Sequence, residues 1–186
     1  MKAYVELLRA GLIVACPTET LMGLLADASN ERAVQRVLEL KGRPANEPLP
    51  LIVPSLEVAM RFVRDLPAIA VELATRYWPG PLTLVLHAQA HVPAPLVKDG
   101  KVAVRVPGPS PALDLVTAFG GPLTATSANP SGKSPLSTEA ELRAAFGGGL
   151  AAVVSGKVPG GRPSTIVDVS SGQPVVLRQG AIALHA

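Results

Sequence analysis

Apolar and polar positions change period several times along this chain of 186 residues. Residues 12–16, Leu-Ile-Val-Ala-Cys, form an unbroken apolar run closed by Pro17, the pattern of a strand buried on both faces. From 31 to 41 the period becomes helical: Ala33, Val34, Val37, Leu38 and Lys41 recur at turn spacing, and Asn30 stands where an N-cap belongs. Ser55 and Pro67 open two further helical stretches, and Trp78-Pro79-Gly80-Pro81 stops the second before an apolar strand at 82–87. Residues 101–106 read as a strand and 111–119 as a helix, after which a strand at 123–126 leads into a polar loop. Thr138 with Glu141 is a capping box for a helix that ends at Gly147-Gly148-Gly149. Strands at 151–154, 165–169 and 174–177 complete the pattern.

Helices and strands alternate irregularly, so the pattern predicts an α/β fold with a twisted, open, mixed sheet flanked by helices rather than a regular doubly wound order. A single domain over 1–186 suits this length, at which roughly 70% of the extended-chain surface is buried on folding. The proline-rich pieces 44–54 and 107–111 read as ordered loops, and no internal repeat is visible.

Composition narrows the function classes. The chain is 48% hydrophobic but 3% aromatic, so an aliphatic core is expected and base-stacking platforms are scarce; Trp78 is a weak anchor for one. The longest apolar runs are far too short to span a bilayer, and no basic segment, apolar stretch and cleavage site open the chain, which reads as cytosolic. Cys16 is the sole cysteine, which excludes an internal disulfide and suits core packing, and His87, His91 and His185 share no metal-ligand spacing. A net charge of +3 favours anionic ligands mildly, and without a Lys/Arg run it does not by itself indicate nucleic acid.

The candidate chemistry gathers at a few places. Lys41-Gly42-Arg43-Pro44 sets two cations around a turn where a helix ends. Cations there complement the helix dipole, but a fork-shaped guanidinium beside a point-charge ammonium also suits phosphate oxygens. Thr124-Ala125-Thr126-Ser127-Ala128-Asn129-Pro130-Ser131-Gly132 ends a short strand in hydroxyls and an amide, which could form an ordinary turn or bind a ligand. Gly132-Lys133-Ser134 imitates the end of a phosphate-binding P-loop, but Ser127 stands where that pattern needs glycine and Pro130 removes an N–H. Arg105 interrupts an apolar strand and needs a partner, either a structural carboxylate or a carboxylate ligand. Thr20 could satisfy a turn, and Asp168 reads as a strand-end residue near a site, with no metal assigned to it.

Four stretches, Pro17-Thr18-Glu19-Thr20, Lys41-Gly42-Arg43-Pro44, Thr126-Ser127-Ala128-Asn129 and Pro163-Ser164-Thr165-Ile166-Val167-Asp168, occur in the order and spacing of the YrdC/TsaC family, the threonylcarbamoyl-AMP synthases. The chain resembles that family from about Leu12 to Gly180, and resembles its short, single-domain members. The resemblance implies a YrdC-like fold and ATP-dependent joining of L-threonine and bicarbonate or CO2 into threonylcarbamoyl-adenylate, with Mg²⁺ expected beside the ATP. It gives nucleotide contacts to Lys41, Arg43, Ser127, Asn129 and Arg178, with Lys41 and Arg43 neutralising phosphate charge during the reaction. It gives L-threonine to Thr20, Arg105, Ala125 and Ser164. Downstream, it implies delivery to a separate complex that modifies the adenine beside the anticodon of tRNA. The family commonly has tyrosine where this chain has Met22, which keeps open a related carbamoyl-adenylate as product. A noncatalytic RNA-binding or ribosome-associated module is the alternative from another class, with at most weak RNA binding expected.

Overall fold

The structure is a computed structural model that describes residues 1–44 and 47–184, so His185 lies outside the described residues. The chain opens with a helix that the sequence pattern did not single out, α1 (Lys2–Arg9), which turns Val5 and Leu8 inward. The first apolar run becomes β1 (Val14–Pro17), and after four intervening residues the chain returns antiparallel as β2 (Met22–Leu25), with Pro17 opposite Met22. Thr18 makes that return tight: its hydroxyl donates to Leu21 O at 2.7 Å and accepts from the backbone N–H of Thr20 and of Leu21. A side chain that closes its own turn in this way explains the abrupt reversal at Pro17-Thr18-Glu19-Thr20.

The helix expected at 31–41 is α2 (Glu31–Lys41), with the Asn30 side chain accepting from Arg32 N and Ala33 N. Gly42 ends it in the left-handed conformation, φ 60°, where a side chain would be strained. The stretch 44–54, expected as loop, contains a short strand, β3 (Leu51–Ile52), held between two neighbours. Next come α3 (Leu56–Ala59), α4 (Ala68–Tyr77), β4 (Leu82–His87), β5 (Lys101–Arg105) and α5 (Pro111–Phe119). Then β6 (Leu123–Thr124) and β7 (Thr126–Ser127) are followed by α6 (Glu139–Phe146), whose capping box forms as expected, and by β8 (Ala152–Val153), β9 (Thr165–Asp168) and β10 (Val175–Arg178).

The expected α/β class with open mixed sheets and flanking helices holds, and the strands divide between two sheets. Their orders are β7-β2-β1-β8 and β10-β9-β4-β5-β3-β6. The strand expected at 123–126 is the bridge between them: β6 pairs with β3, β7 pairs with β2, and the chain changes sheet at Ala125, whose N–H donates to Pro50 O at 2.8 Å. The core is aliphatic, as composition required. One cluster gathers Leu24, Leu51, Leu84 and Val104, and a second packs Val5, Leu8, Leu115 and Val116 beneath β1. Cys16 is buried in that second cluster, where burial pushes its thiol up to about 12, an inert core position.

Candidate functional site

A cavity of about 590 Å³ lies over one face of the six-stranded sheet. Three adjoining strands build its floor by simple alternation. Lys101, Ala103 and Arg105 of β5, Thr83 and Val85 of β4, and Ile166 and Asp168 of β9 line it, while Val102, Val104, Leu82, Leu84 and Val167 between them are buried in the core. Arg105 therefore does not interrupt its strand. It takes the third position facing the cavity, after Lys101 and Ala103, about 13 Å along β5 from Lys101. The remaining wall comes from Thr18, Thr20 and Met22 at the first hairpin, from Arg43 and Pro48 after α2, and from Ala125 and Ser127 at the change of sheet. Pro163, Ser164 and Arg178 close it.

Of the expected threonine residues, Thr20, Arg105, Ala125 and Ser164 all line this one space. The Arg105 side chain is 8% exposed, and its Nη1 donates to Glu19 Oε1 at 3.1 Å. Burial pushes the guanidinium below its ordinary pKa, and the charge of Glu19 opposes that. A guanidinium carries five N–H donors, and among the described residues Glu19 is the acceptor Arg105 meets. A buried cation on a cavity wall with donors to spare fits a planar carboxylate gripped by two parallel hydrogen bonds. Nearby, Thr18 and Thr20 share a hydroxyl contact at 3.0 Å and Thr83 and Ser164 another at 2.9 Å, while Ala125 already donates its N–H to Pro50.

The expected nucleotide residues separate into two groups. Arg43, Ser127 and Arg178 line the cavity; Lys41 and Asn129 do not. Arg178 donates through Nε and Nη2 to Ser164 O at 3.2 and 2.8 Å. Desolvation and then the charges of Arg105 and Arg43 hold its guanidinium below the ordinary value, which marks three like charges sharing one space. Glu19 pairs with Arg105 and Glu47 with Arg43, at 3.6 Å, but Arg178 meets no carboxylate among the described residues, so the cluster keeps positive charge to offer a phosphate or carboxylate. Arg43 is braced by its own loop, Nε to Glu47 O at 2.9 Å and Nη2 to Pro48 O at 3.3 Å.

Lys41, read from the sequence as one of two cations set around a turn with Arg43, is buried instead. It is 3% exposed, and its Nζ donates to the carbonyl oxygens of Ser127 and, at 2.7 Å, of Asn129. The left-handed turn at Gly42 is the reason: Lys41, on the last helical turn, stays beneath residues 127–131, while Arg43, just past the turn, emerges at the cavity. Burial, with Arg43 adding, draws the ammonium down to about 8. Asn129 staples the same loop, donating through Nδ2 to Pro130 O at 3.0 Å and Lys133 O at 2.7 Å. The side chain of Lys133 is exposed, and Gly132-Lys133-Ser134 forms no phosphate cradle. Replacing Lys41 with methionine strands buried carbonyl oxygens and is expected to lower stability by about 1–3 kcal/mol, as such losses usually do. A urea unfolding midpoint equal to that of the wild type would show that the ammonium holds nothing.

Two residues that the sequence reading gave no role in a site stand out. Glu19 stands within the motif Pro17-Thr18-Glu19-Thr20, and Lys101 opens an apolar strand. Lys101 Nζ donates to Asp168 Oδ2 at 2.7 Å at the far end of the cavity floor. Burial raises the Asp168 pKa, but Lys101 and Ser170 outweigh it and keep the carboxylate ionised. Alternation along 101–105, extended to polar positions, is the signal that would have found Lys101. Among the described residues no group of three His, Cys, Asp or Glu side chains could hold a metal ion.

The chain is similar to known proteins over nearly its whole length. The profile of the Sua5/YciO/YrdC family, described as telomere recombination, matches residues 6–180. The threonylcarbamoyl-AMP synthase of Halorhodospira halophila is 44% identical over 168 residues, 89% of this chain and 87% of that protein. That of Pyrococcus abyssi is 40% identical over 181 residues, 96% of this chain but 53% of that protein, so the chain spans about half the length of this relative. The structure of P. abyssi Sua5 complexed with L-threonine superposes with a TM-score of 0.90 at 39% identity, covering 96% of this chain and 53% of that one.

Proposed function

The chain belongs to the Sua5/YciO/YrdC family, and on that premise we propose that it makes L-threonylcarbamoyl-adenylate from L-threonine, bicarbonate or CO2, and ATP, releasing pyrophosphate. The observation that carries this reading is the single cavity in which the buried Arg105 retains free donors while Arg43 and Arg178 supply further cations. The amine of threonine adds to CO2, losing a proton and forming a carbamate. A carbamate oxygen then attacks the α-phosphorus, and pyrophosphate leaves with the bonding electron pair. Arg105 grips the carboxylate of threonine, with Thr20, Ser164 and the chain at Ala125 around the rest of it. Arg43, Arg178 and Ser127 face the nucleotide, so charge gathers on phosphates already surrounded by preorganised donors. Lys41 and Asn129 serve the nucleotide by fixing the loop that presents Ser127.

Positioning does most of this work, because holding the carbamate in line with the α-phosphorus replaces an encounter in solution. Mg²⁺, in this reading, arrives as the counterion of ATP rather than at a protein-built site. The product is a mixed anhydride suited to acyl transfer, and it feeds threonylcarbamoyl modification of the tRNA adenine beside the anticodon, in the cytoplasm. No helix among the described residues is long and apolar enough to cross a membrane. Against an RNA-binding module without chemistry, the clustered cations point into a cavity rather than across an open surface, with few aromatic rings to stack bases. Exchange of labelled pyrophosphate into ATP tests the proposal: it should require both threonine and bicarbonate. Exchange without threonine, or no exchange, contradicts it.

Met22 sets a finer expectation. It lines the cavity yet is 3% exposed, so its thioether fills space where a hydroxyl would need a partner. Met22→Tyr should keep the fold, at a cost of about 1–3 kcal/mol for overpacking, and should sharpen the preference for threonine over serine. If the wild type already discriminates fully and the variant loses activity, the pocket is built around methionine.

A further inference from the structure

The ion pair behind the cavity wall has an unusual feature. Glu19 lies between Thr18 and Thr20, both of which line the cavity, yet Glu19 itself does not line it. Its side chain runs behind the wall, 11% exposed, to meet Arg105 from outside the ligand space. Only Oε1 is engaged; Oε2 is buried and, among the described residues, has no hydrogen-bond partner. An unpartnered carboxylate oxygen in such a place costs free energy, and a structural ion pair would favour the two-point contact that guanidinium and carboxylate readily form. The one-point contact leaves the remaining Arg105 donors for something else.

Packing keeps the carboxylate there. A methyl group added at Gly108 would lie 3.1 Å from Glu19 Cγ and 3.4 Å from its Cβ, so the backbone at 108 forms a close wall behind the side chain. Gly108 is buried and does not line the cavity, and its backbone is not in the left-handed region, so alanine there presses on Glu19 without backbone strain.

We infer that Glu19 is a positioning residue: it holds one edge of the Arg105 guanidinium from behind the wall, so that the other edge faces the carboxylate of an amino-acid substrate. This inference rests on the proposed threonine site. Glu19 also neutralises a cation that would otherwise be buried alone.

The test compares wild type with Glu19→Ala, Glu19→Gln, Gly108→Ala and Arg105→Ala, using threonine titration calorimetry and steady-state kinetics. Thermal unfolding and binding of a nonhydrolysable ATP analogue serve as checks on folding. Glu19→Ala should raise the Michaelis constant for threonine roughly tenfold, the worth of one charge-assisted hydrogen bond, and leave kcat at saturating threonine nearly unchanged. Glu19→Gln, which keeps an acceptor oxygen, should recover most of that affinity. Gly108→Ala should weaken threonine several-fold without altering binding of the analogue, and it decides the matter if Glu19→Ala does not fold. Wild-type threonine affinity in folded Glu19→Ala or Gly108→Ala, with Arg105→Ala impaired, overturns the inference and spares the site. A wild type that binds no threonine overturns the site and the inference together.

Discussion

Arg105→Ala is expected to raise the Michaelis constant for L-threonine by roughly a hundredfold, since two charge-assisted hydrogen bonds to one carboxylate are lost together. Binding of ATP in the absence of threonine should change little, because Arg43 and Arg178 remain. The variant also strands Glu19 as a buried charge, so a fall in melting temperature should accompany the kinetic effect. Arg105→Lys separates the two: it keeps a cation for Glu19, so stability should largely return, but a single ammonium cannot form the fork and affinity should recover only in part. Calorimetry with threonine and with the ATP analogue reads both terms. Equal losses for both ligands would mean that carboxylate and phosphates share Arg105.

The second large effect concerns the phosphates. Arg43→Ala and Arg178→Ala should each lower kcat/KM for ATP by about 10- to 100-fold, the usual worth of a charged hydrogen bond at a reacting centre. Neither should destabilise the empty protein much. Removing one of three mutually repelling guanidiniums relieves the others, although loss of Arg178 also releases its hold on Ser164. A double variant with wild-type pyrophosphate release would remove phosphate binding from this cavity.

Much of this was legible in the sequence because the signals were local. Asn30, Ser55 and Thr138 each cap the helix that follows, as side chains one turn from the groups they bind can do. The strands at 82–87 and 101–106 were visible from their apolar content, and the motif segments around Thr20, Arg43, Ser127 and Ser164 do converge on one cavity. Long-range features were not legible. β3 is two residues long among prolines and exists because β5 and β6 flank it. The change of sheet at Ala125 depends on the carbonyl of Pro50, 75 positions away in the chain. Lys41 and Arg43 look equivalent in sequence; one left-handed residue between them sends the first beneath the loop and the second to the cavity. The partner of Arg105 was similarly hidden, since a cation in an apolar strand demands an acceptor without naming it, and Glu19 lies 86 positions away.

The central claim is that one cavity couples an amino-acid carboxylate site to a nucleotide site. Incubating the purified chain with ATP, labelled bicarbonate and L-threonine, and separating the products, tests it most directly. The account predicts one labelled species containing threonine, carbonate carbon and AMP, formed with one pyrophosphate each, absent when threonine is omitted and sharply reduced at subsaturating threonine when Arg105 is alanine. Pyrophosphate release that neither needs threonine nor fixes label would contradict it.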